Sequence, residues 1–325
     1  MAERKNALLV FTKAPLPGVV KTRMTEEYGG FFTMEQAATF YKSCFFDVCE
    51  MGMTALSELQ EENDRLVASD ATADKITDDF FCSTTPAESV QTMRDLFASR
   101  SIWKMEPQFI VDHGSSFDEH FNDAFAQLFA MGYESVVSIG GDLPTMPKRH
   151  IKEAFKWLER FQAVGKPGFV CAPCQECGTS LVGYSHNTPL NPTGSYYNLE
   201  GRPALDGYFE KLRESDVPSA YFEPIADIDV VDDLGHAVSC MTAIREAAKY
   251  QDLFVPRRAL AWCELMGIRA YTPPNDNHDP RDYLDIEEPD GMEAPSSDDR
   301  QRVADLNAAL QEKQAAENAY EAGKY

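Results

Sequence analysis

Three cationic side chains follow the first apolar run of the chain, within the segment FTKAPLPGVVKTRM at residues 11–24. These residues, Lys13, Lys21 and Arg23, stand out because the whole chain of 325 residues has a formal net charge of −23. A protein this acidic must concentrate its Lys and Arg side chains, or bind a metal ion, to handle an anionic substrate. Ammonium and guanidinium groups on a loop after a buried strand suit phosphate oxygens. The spacing therefore indicates a diphosphate site.

This loop is not a Walker A loop, because that motif places a glycine directly before its lysine. Here Gly18 lies three residues before Lys21. Pro15 and Pro17 stiffen the segment, and Gly18 would let the backbone approach a bulky anion. Composition alone leaves the alternative open that the segment is a surface turn with solvated cations.

Carboxylates follow two further apolar runs. Asp142 comes directly after VVSIGG, and the segment IADIDVVDDL carries four aspartates: Asp227, Asp229, Asp232 and Asp233. An aspartate at the carboxyl end of a central strand can bind a hard divalent cation that also contacts substrate phosphates. Asp142 with one later aspartate would suffice, because Mg²⁺ takes one or two carboxylates. The alternatives are a turn at Asp142 and a helix cap at Asp232 and Asp233.

These motifs resemble those of DUF2064, a family of small bacterial proteins proposed to be glycosyltransferases with a GT-A-like nucleotide-diphospho-sugar transferase fold. The family opens with I-F-T-K-x-P-x-P-G-x-V-K-T-R-L, which residues 10–24 follow closely. GGDLP at 140–144 matches its G-[SG]-D-x-P, and DIDVVDDL at 227–234 is similar to D-[VI]-D-T-P-E-D-L. The resemblance covers about residues 5–245.

The resemblance also implies roles for individual residues. The nucleotide and its phosphates would be held by Lys13, Gly18, Lys21, Arg23 and Gly141. Asp142 and Asp229 would bind Mg²⁺ or Mn²⁺, with Asp227 as the weaker candidate. Lys21 and Asp142 would act in catalysis, where charge develops on the departing nucleoside diphosphate.

The segment CAPCQECGTSLVGY, which begins at Cys171, departs from the family's G-P-A-x-D-G-G-Y-Y-L-I-G. Glu176 stands at the usual Asp, so it is a candidate to hold sugar hydroxyls or to act as a catalytic base. Cys171, Cys174 and Cys177 have a spacing that can hold zinc or iron–sulfur, with His186 as the nearest fourth ligand. The alternative is that they are free cysteines that pack as small apolar residues.

A further departure concerns His120, which stands where relatives have an Arg. It is interpreted either as a phosphate contact or as a histidine on a helix surface.

Short apolar runs alternate with amphipathic helical segments up to about residue 250. One helix is predicted at residues 33–53, where Thr33 and Gln36 form a capping-box pattern. We predict an α/β fold, a GT-A/Rossmann-like three-layer α/β/α sandwich around a mostly parallel mixed sheet. Residues 1–250 would form this domain, and residues 251–275 a helical extension packed on it. Residues 276–325, with 14 acidic and 5 basic side chains, would be an acidic tail, partly disordered and with one polar helix.

The bulk properties limit the partners. The net charge argues against nucleic acid and anionic membranes. No apolar run has the length of a signal peptide or spanning helix, and eight cysteines suit a reducing compartment. We therefore predict a cytoplasmic protein without membrane insertion.

The predicted function is glycosyl transfer from a nucleotide-sugar donor to an unidentified acceptor, with Mg²⁺ or Mn²⁺. One alternative is nucleotidylyl transfer with release of pyrophosphate, since CGTSL resembles a motif of phospholactate guanylyltransferases. The other is a non-catalytic nucleotide-sugar sensor.

Overall fold

The computed structural model describes residues 3–100, 103–175, 177–198 and 200–268, and five single positions between 301 and 316. Apart from those five positions, the predicted acidic tail at 276–325 lies outside the described residues, as do residues 269–275 of the predicted helical extension. None of the described helices combines the length and the apolar character that a membrane-spanning helix needs.

One sheet of seven strands organises the described chain, in the order β3-β2-β1-β4-β6-β5-β7. The strands are β1 (Glu3–Phe11), β2 (Lys75–Ser83), β3 (Gln108–Ile110), β4 (Ser135–Gly140), β5 (Phe169–Pro173), β6 (Thr179–Ser185) and β7 (Ser219–Tyr221). Only β6 among them runs antiparallel to its neighbours, while the other pairs are parallel. The predicted mostly parallel mixed sheet is therefore confirmed.

Helices cover both faces of this sheet. The helices of the described chain are α1 (Met34–Ser69), α2 (Ser89–Ala98), α3 (Phe117–Ala130), α4 (Lys148–Ala163), α5 (Ala204–Ser215), α6 (Asp233–Ala247) and α7 (Arg257–Leu265). Of these, α7 packs on α1 and α6 packs on α7 rather than on the sheet. Alternate side chains of β1 point to opposite faces of the sheet and show which helices cover each face. Leu8 and Val10 pack with α1, α2 and α4, whereas Ala7 and Leu9 pack with α3 and α5. The three-layer α/β/α prediction is confirmed.

Helix α1 begins as predicted but extends well beyond the predicted end. The Thr33 side chain accepts from the Gln36 backbone N–H, and the Gln36 side chain accepts from the Thr33 N–H, which completes the capping box. The helix then continues past residue 53 to Ser69. Leu56 and Leu59 keep its apolar face buried there, and the polar residues that follow are mostly good helix formers.

A third apolar cluster, separate from the two that cover the faces of the sheet, packs against α1. Helices α6 and α7 contact each other, α7 contacts α1, and their buried side chains form one cluster. We call this cluster the α1–α6–α7 core; it also contains Met24 and Ile228, which lie in loops. Two loops that lead to the sheet edge are therefore anchored in the same core.

A buried carboxylate attaches α7 to α1. Asp47, which is 1% exposed on α1, accepts hydrogen bonds from the backbone N–H groups of Arg258 and Ala259 and from Arg258 Nη1. Arg258 Nη2 also pairs with Glu50. Burial raises the pKa of Asp47 to about 6, although the hydrogen bonds from Ala259 and Arg258 oppose this shift.

Asp78 on β2 makes the stability depend on pH. It is 8% exposed and accepts a hydrogen bond from Asn6 Nδ2 on β1, and burial raises its pKa to about 7. The native state therefore holds this proton more tightly than the unfolded chain, whose aspartates titrate near ~4. The contribution of Asp78 to stability is thus present at low pH and falls as the pH rises from about 4 to 7.

We expect Asp78→Asn to remove this loss, because the amide has the shape of the carboxyl group and stays neutral. Relative to the wild type, its free energy of unfolding should rise by about 1–3 kcal/mol between pH 5 and pH 8. Urea denaturation at both pH values measures this difference. Asp64→Asn, an exposed aspartate of α1, is the control. If the free energies of unfolding of Asp78→Asn and wild type changed equally with pH, ionisation of Asp78 in the native protein would not lower its stability.

Candidate active site

A cavity of about 460 Å³ opens where β1 and β4 end. The carboxyl ends of parallel strands are where doubly wound α/β sheets bind ligands. The described residues that line it include four cationic side chains, Lys13, Lys21, Arg23 and Arg202. They also include four aspartates, Asp112, Asp142, Asp227 and Asp229. Both charge signs are thus concentrated in one cavity of an acidic protein.

Lys21 lies between two of these aspartates. Its Nζ donates to Asp142 Oδ2 at 2.5 Å and to Asp229 Oδ1 at 2.7 Å. The Lys21 side chain is 7% exposed. Burial disfavours its charged form, but Asp142 and Asp229 outweigh burial and hold the pKa of the ammonium well above its usual value. The two predicted metal ligands therefore meet at one cationic atom.

The backbone around Lys21 is strained and firmly held. Lys21 has φ 51° and ψ 35°, in the left-handed region, which costs a residue with a Cβ about 1–2 kcal/mol. A 3-10 turn, Thr22–Met24, follows, and Met24 is fully buried in the α1–α6–α7 core. The packing of Met24 fixes the turn and so holds Lys21 in this conformation.

Asp142 follows β4 after Gly141, a residue whose backbone lies close to the side chain of Tyr41. A Cβ on Gly141 would lie 2.6 Å from Tyr41 Oη, so a larger residue would displace the Tyr41 side chain. Tyr41, buried on α1, shares a 2.5 Å hydrogen bond with Thr12 Oγ1. Its ring centroid lies 5.8 Å from Lys21 Nζ. Gly141 thus allows Tyr41 to pack beside the site. The Tyr41 ring of α1 in turn lies next to the Lys21 ammonium.

Asp229 lies in a loop, whereas the sequence predicts it at the end of a strand, so this part of the prediction is wrong. Strand β7 ends at Tyr221, so Asp227 and Asp229 are not at a strand end but in the irregular segment that follows. Ile228 between them is 1% exposed in the α1–α6–α7 core. Asp227 and Asp229 themselves line the cavity.

The charge around Asp229 is organised by its neighbours. Asp233 Oδ2 accepts from the backbone N–H groups of Asp229 and Val230, and Arg23 Nη2 lies 3.5 Å from Asp229 Oδ2. Burial, and next the charges of Asp229 and Asp142, raise the pKa of Asp227 to about 7. Asp232 and Asp233 lie at the start of α6 as predicted, with Asp232 at the N-cap position, but the Asp232 side chain makes no capping hydrogen bond. The Asp233 carboxylate instead holds the turn before α6.

The cysteines of the segment at 171–177 diverge in space. Cys171 is buried between the sheet and its helices, Cys174 is partly buried at the cavity, and Cys177 is exposed. His186 follows the opposite end of β6. Within the described ranges, no group of three His, Cys, Asp or Glu side chains is placed to hold a metal ion.

Other predicted site residues have mixed outcomes. Lys13 and Arg23 line the cavity, but Gly18 is not among its described lining residues; with φ 74° it forms the exposed turn instead. Glu176 lies outside the described residues, although Cys174 and Gly178 on either side line the cavity.

His120 is not on a helix surface, so that interpretation is wrong. It is 6% exposed, and its Nδ1 lies 2.7 Å from Asp112 Oδ1. Ser83 Oγ donates to the other oxygen of Asp112. Asp112 lines the cavity, whereas His120 is not among the described lining residues, so His120 contacts the site through this carboxylate.

Sequence reasoning missed an aromatic side of the cavity. Its described members are Phe11, Phe117, Phe121, Tyr196 and Tyr197, and their rings contact one another with centroids 4.9–5.4 Å apart in the pairs of Phe117 with Tyr196 and Phe121 with Tyr196. The Tyr-Tyr pair in NPTGSYYNLEG was the available signal. Aromatic faces suit sugar rings and nucleobases alike.

Comparison with known proteins supports the family resemblance over part of the chain. Residues 68–193 match the model of DUF2064, described as an uncharacterized protein conserved in bacteria. The resemblance to this family is therefore confirmed over that range, which contains the GGDLP motif but neither the cationic loop nor Asp229. No curated protein sequence matches the chain.

The chain is similar to several solved structures. A proposed nucleotide-diphospho-sugar transferase from Desulfovibrio desulfuricans G20 is similar with a TM-score of 0.58 and 18% identity, over 81% of this chain and 98% of that chain. A cytidylyltransferase from Leptospira borgpetersenii is similar with a TM-score of 0.41 and 11% identity, over 83% of this chain and 98% of that one. The first likeness agrees with the GT-A-like fold class inferred from the sequence.

Proposed function

We propose that the protein is a glycosyltransferase that uses a nucleotide-diphospho-sugar donor and a divalent cation. One observation carries the proposal: the carboxylates of Asp142 and Asp229 converge on the Lys21 ammonium at the carboxyl edge of the sheet. Lys13 and Arg23 line the same cavity, so phosphate and cation ligands lie side by side. The fold shared with the D. desulfuricans protein supports the choice of substrate class.

The donor set of the site fits Mg²⁺ or Mn²⁺. Two carboxylate oxygens already meet at a single positively charged atom. Mg²⁺ binds through one or two carboxylates and leaves its other positions to water and phosphate oxygens, so Asp142 and Asp229 would hold it without a third protein ligand. When bound, the ion would act as a Lewis acid that neutralises diphosphate charge.

The reaction itself places demands on this chain's cations. The acceptor oxygen bonds to the anomeric carbon, the bond from that carbon to the phosphate oxygen breaks, and the electron pair leaves with the nucleoside diphosphate. Lys21 and Arg23 would bind the charge that develops there, and such fixed charges are usually the largest catalytic term. The proton of the acceptor passes to a base, for which Glu176 stays a prediction.

Released product tests the proposal. The protein is incubated with Mn²⁺, a panel of nucleotide sugars and a panel of hydroxyl acceptors, and nucleoside diphosphate is measured by chromatography. A parallel arm offers nucleoside triphosphates with sugar phosphates and measures pyrophosphate. We expect nucleoside diphosphate in the first arm. Pyrophosphate in the second arm alone would replace the proposal with nucleotidylyl transfer, and tight donor binding without release would replace it with a sensor.

A further inference from the structure

Lys21 fills the space in which a cation bound by Asp142 and Asp229 would lie. Its Nζ is 2.5 Å from one carboxylate oxygen and 2.7 Å from the other. A Mg²⁺ ion lies about 2.0–2.1 Å from each oxygen ligand, so an ion between the same two oxygens would overlap the ammonium. The ammonium and the ion therefore exclude each other.

We propose that Lys21 occupies the cation position of Asp142 and Asp229 in the ligand-free protein, and that a diphosphate ligand draws Lys21 onto its own oxygens so that a divalent cation can bind. This inference rests on the proposed function in its use of a divalent cation. It adds cooperative binding to the site: the diphosphate and the metal ion bind together, and neither binds well alone.

The surroundings of Lys21 allow the exchange. Met24 holds the backbone of the turn in the α1–α6–α7 core, while the ammonium sits on a flexible four-carbon stem. Nζ can therefore move while the strained backbone stays in place. The space it would enter is the cavity itself, which Lys21 already lines.

The charges that face Lys21 make the exchange depend on phosphate. The carboxylates of Asp142, Asp227 and Asp229 surround Lys21, and Arg23 Nη2 lies 3.5 Å from Asp229 Oδ2. If a metal ion displaced Lys21 in the absence of phosphate, the ion would take the carboxylates of Asp142 and Asp229. The Lys21 ammonium would then lie beside the ion without these two partners, and the two cations would repel each other. With a diphosphate present, phosphate oxygens replace those partners, so each ligand strengthens the binding of the other.

The first experiment measures Mn²⁺ binding without any substrate, from the electron paramagnetic resonance signal of free Mn²⁺. We expect Lys21→Met to bind Mn²⁺ at least tenfold more tightly than the wild type. Adding Asp142→Asn to this variant should abolish the gain, which locates the ion. Lys148→Met is the matched control and should show no such gain in Mn²⁺ affinity. Lys148 Nζ also bridges two carboxylates, Glu58 at 2.5 Å and Asp252 at 2.6 Å.

The second experiment uses the unaltered protein and pyrophosphate as the probe. We expect Mn²⁺ and pyrophosphate together to raise the wild-type Tm by more than the sum of their separate shifts, and Lys21→Met to show no such excess. Additive shifts in the wild type would overturn the proposal, even if Lys21→Met did not fold. So would a folded Lys21→Met, judged by circular dichroism, that binds Mn²⁺ no better than the wild type.

The two proposals fail in different ways. Tighter Mn²⁺ binding by Lys21→Met, with no nucleotide sugar turned over by the wild type, would support the exchange and contradict the transferase activity. Turnover by the wild type, with unchanged Mn²⁺ binding by Lys21→Met, would contradict the exchange alone.

Discussion

Asp142→Asn should lower kcat for nucleotide-sugar turnover by about 10²–10³-fold, with a smaller change in KM. The substitution keeps the shape of the side chain but removes the charge that meets Lys21 at 2.5 Å. Stabilisation of diphosphate charge by a bound cation contributes several kcal/mol to the transition state, and each 1.36 kcal/mol corresponds to about a tenfold change in rate. The measurement is nucleoside diphosphate release at saturating Mn²⁺ with the best donor from the panel.

Asp232→Asn is the matched control for this experiment. Asp232 is exposed at the start of α6 and belongs to the same acidic segment as Asp229, but it is not among the described residues that line the cavity. Its turnover should equal that of the wild type. Turnover of Asp142→Asn within threefold of the wild type, at an unchanged Tm, would remove Asp142 from the mechanism.

The largest effect on stability is expected for Asp47→Ala. This change leaves the N–H groups of Arg258 and Ala259 without their acceptor and removes the buried one of the two carboxylates that pair with the Arg258 guanidinium. Breaking a buried ion pair by removing one partner typically costs about 3–5 kcal/mol. We therefore expect the free energy of unfolding to fall by about that amount at pH 8, as measured by urea denaturation.

A local readout separates release of α7 from general weakening. Trp262 on α7 is 9% exposed and contacts Phe32 and Phe40, so acrylamide should quench its fluorescence more readily in Asp47→Ala. Glu50→Gln is the control, because Glu50 binds Arg258 from a position one third exposed and should cost no more than about 1 kcal/mol. Equal losses in the two variants would show that Asp47 is not what holds the helix.

Much of the fold follows from local pattern. The continuous apolar run in NALLVF predicts a strand that is buried on both faces, and Thr33 with Gln36 predicts the start of α1, because these signals depend only on neighbours in the chain. The end of α1 could not be predicted in this way. Its second half is polar except for residues such as Leu56 and Leu59, and only packing against the rest of the fold shows that they are buried.

The candidate site was predictable where charge and chain direction coincide. The cationic loop and Asp142 directly follow strands that pair with each other, so the edge of a parallel sheet brings them together. Tyr41 and most of the aromatic side come from helices and loops whose positions depend on tertiary contacts, so the Tyr-Tyr pair at 196–197 could be noticed but not placed at the cavity from sequence alone. The contact of Lys21 with Asp142 and Asp229 joins residues 121 and 208 positions apart, and no local pattern encodes it.

Ile228 has a consequence for the range of substrates. Because this side chain is buried in the α1–α6–α7 core between two aspartates that face the cavity, the acidic wall cannot retreat without exposing apolar surface to water. That wall is therefore stiff, and a bulkier or differently shaped ligand has to be accommodated at another part of the cavity. We expect variation in ligand preference to come from Tyr196 and Tyr197, which line the aromatic side of the cavity.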